Sequence, residues 1–240
     1  MIVLFTDYGL EGPYIGQVEA VLHQLAPREK VINLLADAPR QNPKACAYLL
    51  AALTRNFPAG TIFFCVVDPG VGSFRDRPVA LNIDQSWYVG PDNGLFDIVT
   101  RRGKQAECRE ITWRRAGMSA SFHGRDLYAP ICAMIASGNP LAMARSDWRD
   151  RHHWPDDLDE VIYIDHFGNC MTGIGAGKAS KDLILKTGRK EIAYAATFSD
   201  APEGELFWYI NSCDLVEIAV NRGNAREAAG LSIGSRIAFV

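Results

Sequence analysis

Cysteine at metal or redox spacing is missing from this chain of 240 residues. The six cysteines, Cys46, Cys65, Cys108, Cys132, Cys170 and Cys213, are scattered, with no Cys-x-x-Cys pair, and most fall in apolar segments. That argues against a zinc site or a disulfide framework. It points instead to buried, reduced thiols and a cytoplasmic location. Charge of one sign is also lacking: 25 Lys and Arg face 28 Asp and Glu, for a net charge of −3. With no basic stripe, no nucleic-acid partner is expected. No apolar run approaches the roughly 18 residues of a membrane span. Met1 leads directly into Ile2-Val3-Leu4-Phe5 with no basic region before it, so neither a membrane partner nor a signal peptide is expected. There is no His-x-His, no His-Glu-x-x-His and no Gly-Lys-Ser/Thr, and Gly9-x-x-Gly12 is not the dinucleotide fingerprint. Metal and nucleotide-phosphate chemistry are therefore not signalled.

What is present is an ordinary globular composition, 48% hydrophobic and 22% charged. The first part alternates strand and helix. Residues 2–6, 31–35 and 61–67 read as apolar strands, and 79–83 with 87–89 as a hairpin. Residues 13–25 carry helical spacing through Ile15, Val18, Leu22 and Leu25. Asn42-Pro43 is an N-cap and first-turn proline opening a helix over 44–55. Residues 94–101 and 125–137 read as further helices. This rhythm predicts an α/β domain with a central sheet flanked by helices, over 1–145. Residues 146–159, dense in charge and tryptophan, read as a linker. Beyond them, short strands over 161–164, 183–186, 191–193, 206–210, 215–220 and 236–240 predict a small β-barrel domain, 160–240.

The strand over 61–67 ends abruptly in Asp68-Pro69-Gly70. Ligands of open α/β sheets bind at the carboxyl ends of strands, so an acid placed there is positioned for chemistry. Asp-Pro-Gly is also ordinary turn chemistry. The pattern recurs, however, at Asp7 after the first strand, at Phe122-His123-Gly124 before a helix, and at Asp165-His166-Phe167-Gly168-Asn169 in the second domain. Asp92 and Asp126 read better as local turn or helix-start residues. Asp7, Asp68, His123 and Asp126 have the ligand types of a hydrolase metal centre but none of its spacing, and no metal is expected.

Six segments in this order, FTDYG (5–9), VVDPGVG (66–72), GPDNGLF (90–96), SASFHGRDLYAP (119–130), IDHFGN (164–169) and YINSCDLVEIAVNRGNA (209–225), span nearly the whole chain. As a set they resemble the SAM hydroxide adenosyltransferases, S-adenosylmethionine hydrolases related to the fluorinase and chlorinase enzymes. The resemblance implies attack of water or hydroxide on C5′ of the adenosyl group, giving adenosine and L-methionine, with S-adenosylmethionine (SAM) as substrate and no cofactor. It implies catalytic roles for Asp68, Arg75 and His123. It also implies that Asp7 holds the ribose hydroxyls and that Asp165 takes the methionine ammonium, with Tyr14 nearby. It implies further that Phe167, Asn169 and Phe198 meet the adenine, that Ser212 meets the methionine carboxylate, and that Asn93 lies near the nucleophile. It implies a homotrimer with active sites between one subunit's N-terminal domain and its neighbour's C-terminal domain.

Departures from the relatives' pattern fall at Cys213, where the halogenases carry arginine, at Asp214, where glycine is common, and at Ser121. The alternatives are a protein that binds SAM or adenosine without turnover, and a SAM-dependent 5′-halogenase. Against the latter stand the short segment 74–87 and the presence of both Arg75 and His123.

Overall fold

The computed structural model describes residues 1–73, 76–139, 143–150 and 152–240. It divides into two compact units, 1–47 with 56–153, and 48–55 with 154–240. The first contains β1 (Ile2–Thr6), α1 (Tyr14–Leu25), β2 (Val31–Leu35), the start of α2 (Pro43–Thr54), β3 (Ile62–Val66), β4 (Pro78–Ile83), β5 (Ser86–Pro91), α3 (Asp97–Arg102), β6 (Ala106–Ile111), α4 (Ala129–Ala136) and β7 (Met143–Ser146). Its seven strands form one mixed sheet in the order β2-β1-β3-β5-β4-β6-β7. β1 runs parallel to both β2 and β3, so strand order reverses between β1 and β3. That reversal opens a crevice at the carboxyl ends of the two strands.

β1 and β3 are wholly buried, as expected for parallel strands covered on both faces. Ile2, Leu4, Phe64 and Val66 pack against Val18 and Leu22 of α1 and Ile131 and Cys132 of α4. The single helix expected over 125–137 is instead two pieces. Gly124–Tyr128 is a wide π-type turn in which the Ala129 N–H bonds to the Gly124 carbonyl, and α4 follows it. Pro130 explains this, because it has no N–H to continue the regular ladder, so the preceding turn widens. β6, β7 and β9 were not legible as strands in the sequence.

The second unit contains β8 (Leu158–Ile164), β9 (Cys170–Gly175), β10 (Leu185–Thr187), β11 (Lys190–Tyr194), β12 (Leu206–Ile210), β13 (Leu215–Val220), α5 (Ala225–Ala229) and β14 (Ala238–Phe239). Their sheet order is β14-β10-β11-β12-β13-β9-β8. A bridge between Glu160 and Arg236, with backbone bonds from Val161 to Ser235 and from Ile237 to Asp159, draws β8 toward the chain entering β14. The sheet thereby nearly closes into a barrel around the buried Trp208, Val216 and Ile218. The six cysteines are free thiols, five of them buried and Cys213 half-buried.

Candidate active site

In the first unit, β1 and β3 end in register, Thr6 opposite Val66, and deliver Asp7 and Asp68 to one side of the sheet. Both carboxylates line a cavity of about 360 Å³ together with Tyr8, Tyr14, Gln41 and His123. Asp7 is half-buried and accepts the Gln41 N–H at 2.9 Å. Burial raises its pKa, and the Gln41 N–H and Arg40 work against that rise. Asp68 accepts the Gly70 N–H at 3.1 Å. Burial pushes its carboxyl up to about 6, with Asp76 and Asp7 adding like-charge repulsion. The acid therefore sits close to the proton-transfer range at neutral pH.

His123 opens the π-type turn. Its pKa is lowered, first by burial and then by Arg114, so the imidazole is neutral near pH 7. Tyr8 lies between these groups. It is half-buried, and burial together with the charges of Asp7 and Asp68 raises its pKa so that it remains a phenol. Tyr8, Tyr14 and Phe122 form an aromatic cluster with centroids 5.4 to 6.1 Å apart. Gly124 is what lets His123 approach: a Cβ there would stand 1.9 Å from the Tyr8 hydroxyl.

Two acids singled out by motif are occupied otherwise. Asp126 is buried and takes both Arg125 Nε and Nη2 at 2.8 Å and the Ser119 N–H at 2.9 Å. The Arg125 bonds hold its carboxyl at about 2. Asp92 is likewise bound by Arg77, at 2.7 and 3.1 Å. Asn93 is not among the residues lining the Asp7–Asp68 cavity. Its Nδ2 donates to the Val67 carbonyl at 2.8 Å and so braces the strand end that carries Asp68. Arg75 lies outside the described residues.

In the second unit, Asp165, Phe167, Asn169, Phe198 and Ser212 line one cavity of about 610 Å³. Asp165 organises its turn: it accepts the Phe167 and Asn169 N–H groups at 2.9 and 2.8 Å and the Asn169 side-chain amide at 2.9 Å. Gly168 sits at φ +85°, where a Cβ would meet the Asn224 amide at 2.2 Å. The turn throws Phe167 outward, 72% exposed, and Phe198 is 38% exposed. Aromatics in short strand-rich segments are more often core; these two are not.

Sequence reasoning passed over Tyr8, Gln41, Tyr209, Asn211 and Glu217. A signal existed for Glu217, the one charged side chain in the apolar run of β13. Gly230-Leu231-Ser232-Ile233-Gly234 also has the Gly-x-Ser-x-Gly spacing of a nucleophile elbow. It follows α5 and does not join a strand to a helix, and Ser232 is engaged with Ser235. Among the described residues no group of three or more His, Cys, Asp or Glu is arranged to hold a metal ion, and no helix is long and apolar enough to cross a membrane.

The SAM hydroxide adenosyltransferase N-terminal domain matches residues 2–145, and the C-terminal domain of the same family matches 159–238. The chain belongs to the SAM hydroxide adenosyltransferase family. It is 36% identical to the (R)-S-adenosyl-L-methionine hydrolase of Salinispora arenicola, over 97% of this chain and 94% of that protein. It is 35% identical to the enzyme of the same name from Thermus thermophilus, over 97% and 96%. Fluorinases match more distantly, that of Actinopolyspora mzabensis at 24% identity. Among solved structures, an uncharacterized conserved protein from Thermotoga maritima superimposes with a TM-score of 0.90 at 31% identity, covering 100% of this chain and 99% of that one. The fold of this family member, an α/β unit followed by a nearly closed barrel, is shared along the whole chain.

Proposed function

We propose that this chain hydrolyses S-adenosyl-L-methionine to adenosine and L-methionine, and that it acts on the R sulfonium epimer specified by its relatives' names. The observation that carries the reading is the convergence of Asp7, Asp68 and His123 on one crevice at the β1–β3 reversal. The oxygen of water bonds to C5′ as the C5′–S bond breaks, and the bonding pair passes to sulfur. The leaving thioether is neutral and needs no acid. The one proton to be moved is that of the attacking water. Asp68, with its carboxyl pushed up to about 6, is a fitting acceptor for that proton. His123, neutral near pH 7, relays it outward. Arg75 completes the set by stabilising developing hydroxide, a role taken from the family resemblance. Tyr8, Tyr14 and Phe122 supply an aromatic wall to the cavity that holds the two acids.

Asp7 takes the ribose hydroxyls beside Tyr14. Asn93 acts by bracing the Asp68 strand end. Asp165 receives the methionine ammonium, Phe167, Asn169 and Phe198 the adenine, and Ser212 the carboxylate. The two sets lie on different units, and we assign their union to neighbouring subunits of a homotrimer. The exposed edge strand β2, apolar in sequence with Ile32 38% exposed, supports an assembled state. Free, buried thiols support a cytoplasmic setting. No cofactor enters the reaction.

The test is incubation of the pure protein with each SAM epimer in ¹⁸O-water, without halide. Label in the 5′-hydroxyl of adenosine, formed from the R epimer, is the expected result. Tight binding without product would replace the reading with a SAM-binding protein, and a halogenated nucleoside on adding halide would replace it with a halogenase. His123→Ala and Arg75→Ala are expected to lower kcat and leave SAM affinity nearly unchanged.

A further inference from the structure

The barrel-unit cavity has a buried carboxylate in its wall that the family resemblance leaves without a role. Glu217 is 2% exposed and is the one charged side chain of β13, whose six residues are all buried. A carboxylate in that setting costs free energy unless its oxygens are matched by donors. Here they are. Asn211 Nδ2 donates to Glu217 Oε2 at 2.6 Å. The Tyr209 hydroxyl, directly across the β12–β13 pair, bonds the same carboxylate. Tyr209 is itself kept a phenol by burial and by Glu217, so it donates.

Burial raises the Glu217 carboxyl and the Asn211 and Tyr209 bonds hold it down; with both groups donating to it, the bond to Glu217 sets which way the Asn211 amide faces. Its NH₂ must point to Glu217, and its oxygen must point to the hairpin loop. That oxygen takes the Cys213 N–H at 2.9 Å and the Leu215 N–H at 3.0 Å. The loop closes further through Asn211 N to Leu215 O at 2.9 Å and Asp214 N to Asn211 O at 3.0 Å, with Asp214 at φ +56°. Ser212 rides at the exposed tip, with its side chain on the cavity. The relay is short: carboxylate, amide, two loop N–H groups, serine.

We infer that Glu217 is a positioning residue that fixes the Asn211 amide and, through it, the loop presenting Ser212 to the carboxylate end of the substrate. The inference rests on the proposed role of Ser212. It accounts for a buried charge where an apolar side chain would pack at less expense. It also accounts for how the loop is held at Cys213 and Asp214: its closing bonds run to the Asn211 side chain and backbone.

The test compares Glu217→Leu, Glu217→Gln and Ser212→Ala in the full-length protein, by steady-state formation of adenosine and by amide hydrogen exchange across 211–215. Glu217→Leu is expected to raise KM about tenfold, the loss of one well-made buried hydrogen bond, with kcat changed less than about twofold. Exchange at Cys213 and Leu215 should quicken in parallel. Glu217→Gln keeps an acceptor for Asn211 and should recover most of the wild-type KM. If Glu217→Leu does not fold, Asn211→Ala cuts the same link from the loop side and carries the same expectations. Unchanged exchange and unchanged KM in Glu217→Leu would overturn the inference. So would a Gln variant as impaired as Leu, which would mean the charge itself touches the ligand. Faster exchange with KM unchanged in both Glu217→Leu and Ser212→Ala would uphold the positioning of the loop and overturn the carboxylate-binding role of Ser212.

Discussion

Replacing Asp68 by asparagine should make the protein more stable at neutral pH while abolishing its chemistry. The carboxyl is shifted from 3.8 to about 6, chiefly by burial. In the folded state it therefore holds its proton over a window where the unfolded chain has released it. The sign follows from proton linkage: the folded state binds more protons between those two values, so stability falls as pH rises through the window. Above it the ionised acid is a standing cost. A shift of that size converts to roughly 3 kcal/mol, and because Asp68 is only half-buried, solvent screening brings the expected gain of Asp68→Asn to about 1–2 kcal/mol at pH 7. The assay is urea denaturation of both proteins at pH 7 and pH 4. Most of the gap should disappear at the lower pH, where the folded acid is protonated and the unfolded one is roughly half so. The kinetic face of the same shift is an acid limb in kcat/KM. With a group at about 6 acting as base, activity at pH 5 falls to ~10% of its plateau, whereas an ordinary aspartate would still leave it above ~90%. An equal stability of the two proteins at pH 7, or a flat kcat/KM down to pH 5, would refute the assigned electrostatics.

Three further outcomes follow from the same geometry. Gly124→Ala sets a methyl 1.9 Å from the Tyr8 hydroxyl, so it should displace Tyr8 and cost about 1–3 kcal/mol in denaturation, with turnover lost out of proportion. Phe167→Ala removes a ring that is 72% exposed; thermal stability should stay within about 0.5 kcal/mol of wild type while KM rises several-fold. Asp126→Asn weakens the clamp on Arg125 and the Ser119 loop and should lower the melting temperature at pH 7. Because the Asp126 carboxyl is depressed to about 2, its contribution is complete above the unfolded value and fades as pH falls toward the folded one. The two melting curves should therefore converge in strong acid.

The architecture was largely legible in the chain because its signals are local. Apolar runs at 2–6 and 61–67 can only be buried strands, and the caps and prolines at 13 and 43 open helices whatever surrounds them. What escaped were elements whose pattern is set by partners. β6 carries Glu107, Arg109 and Glu110, and it is a strand because β4 and β7 flank it. The turn at 124–128 widened because of a proline six residues beyond Gly124, at Pro130. The acids of the site were legible by type and not by task. Asp68, Asp92 and Asp126 all stand beside glycines or helix starts. The clamps from Arg77 and Arg125 engage two of them in packing, and Asp68 faces a cavity with a backbone N–H from Gly70.

Taken by itself, the sequence determined the apolar strands and helices of the α/β part, the strand-rich character of the remainder, and the family. Each of those depends on neighbouring residues and on motifs read in series. Only the tertiary structure decided which polar groups are matched and which are left to a ligand. Pairing across β12 and β13 surrounds Glu217 with donors, parallel register at β1 and β3 brings Asp7 and Asp68 into one cavity, and the turn at Asp165 exposes Phe167. A carboxylate's pKa and its free lone pairs depend on burial and on atoms far away in the chain, and those exist only once the strands have paired.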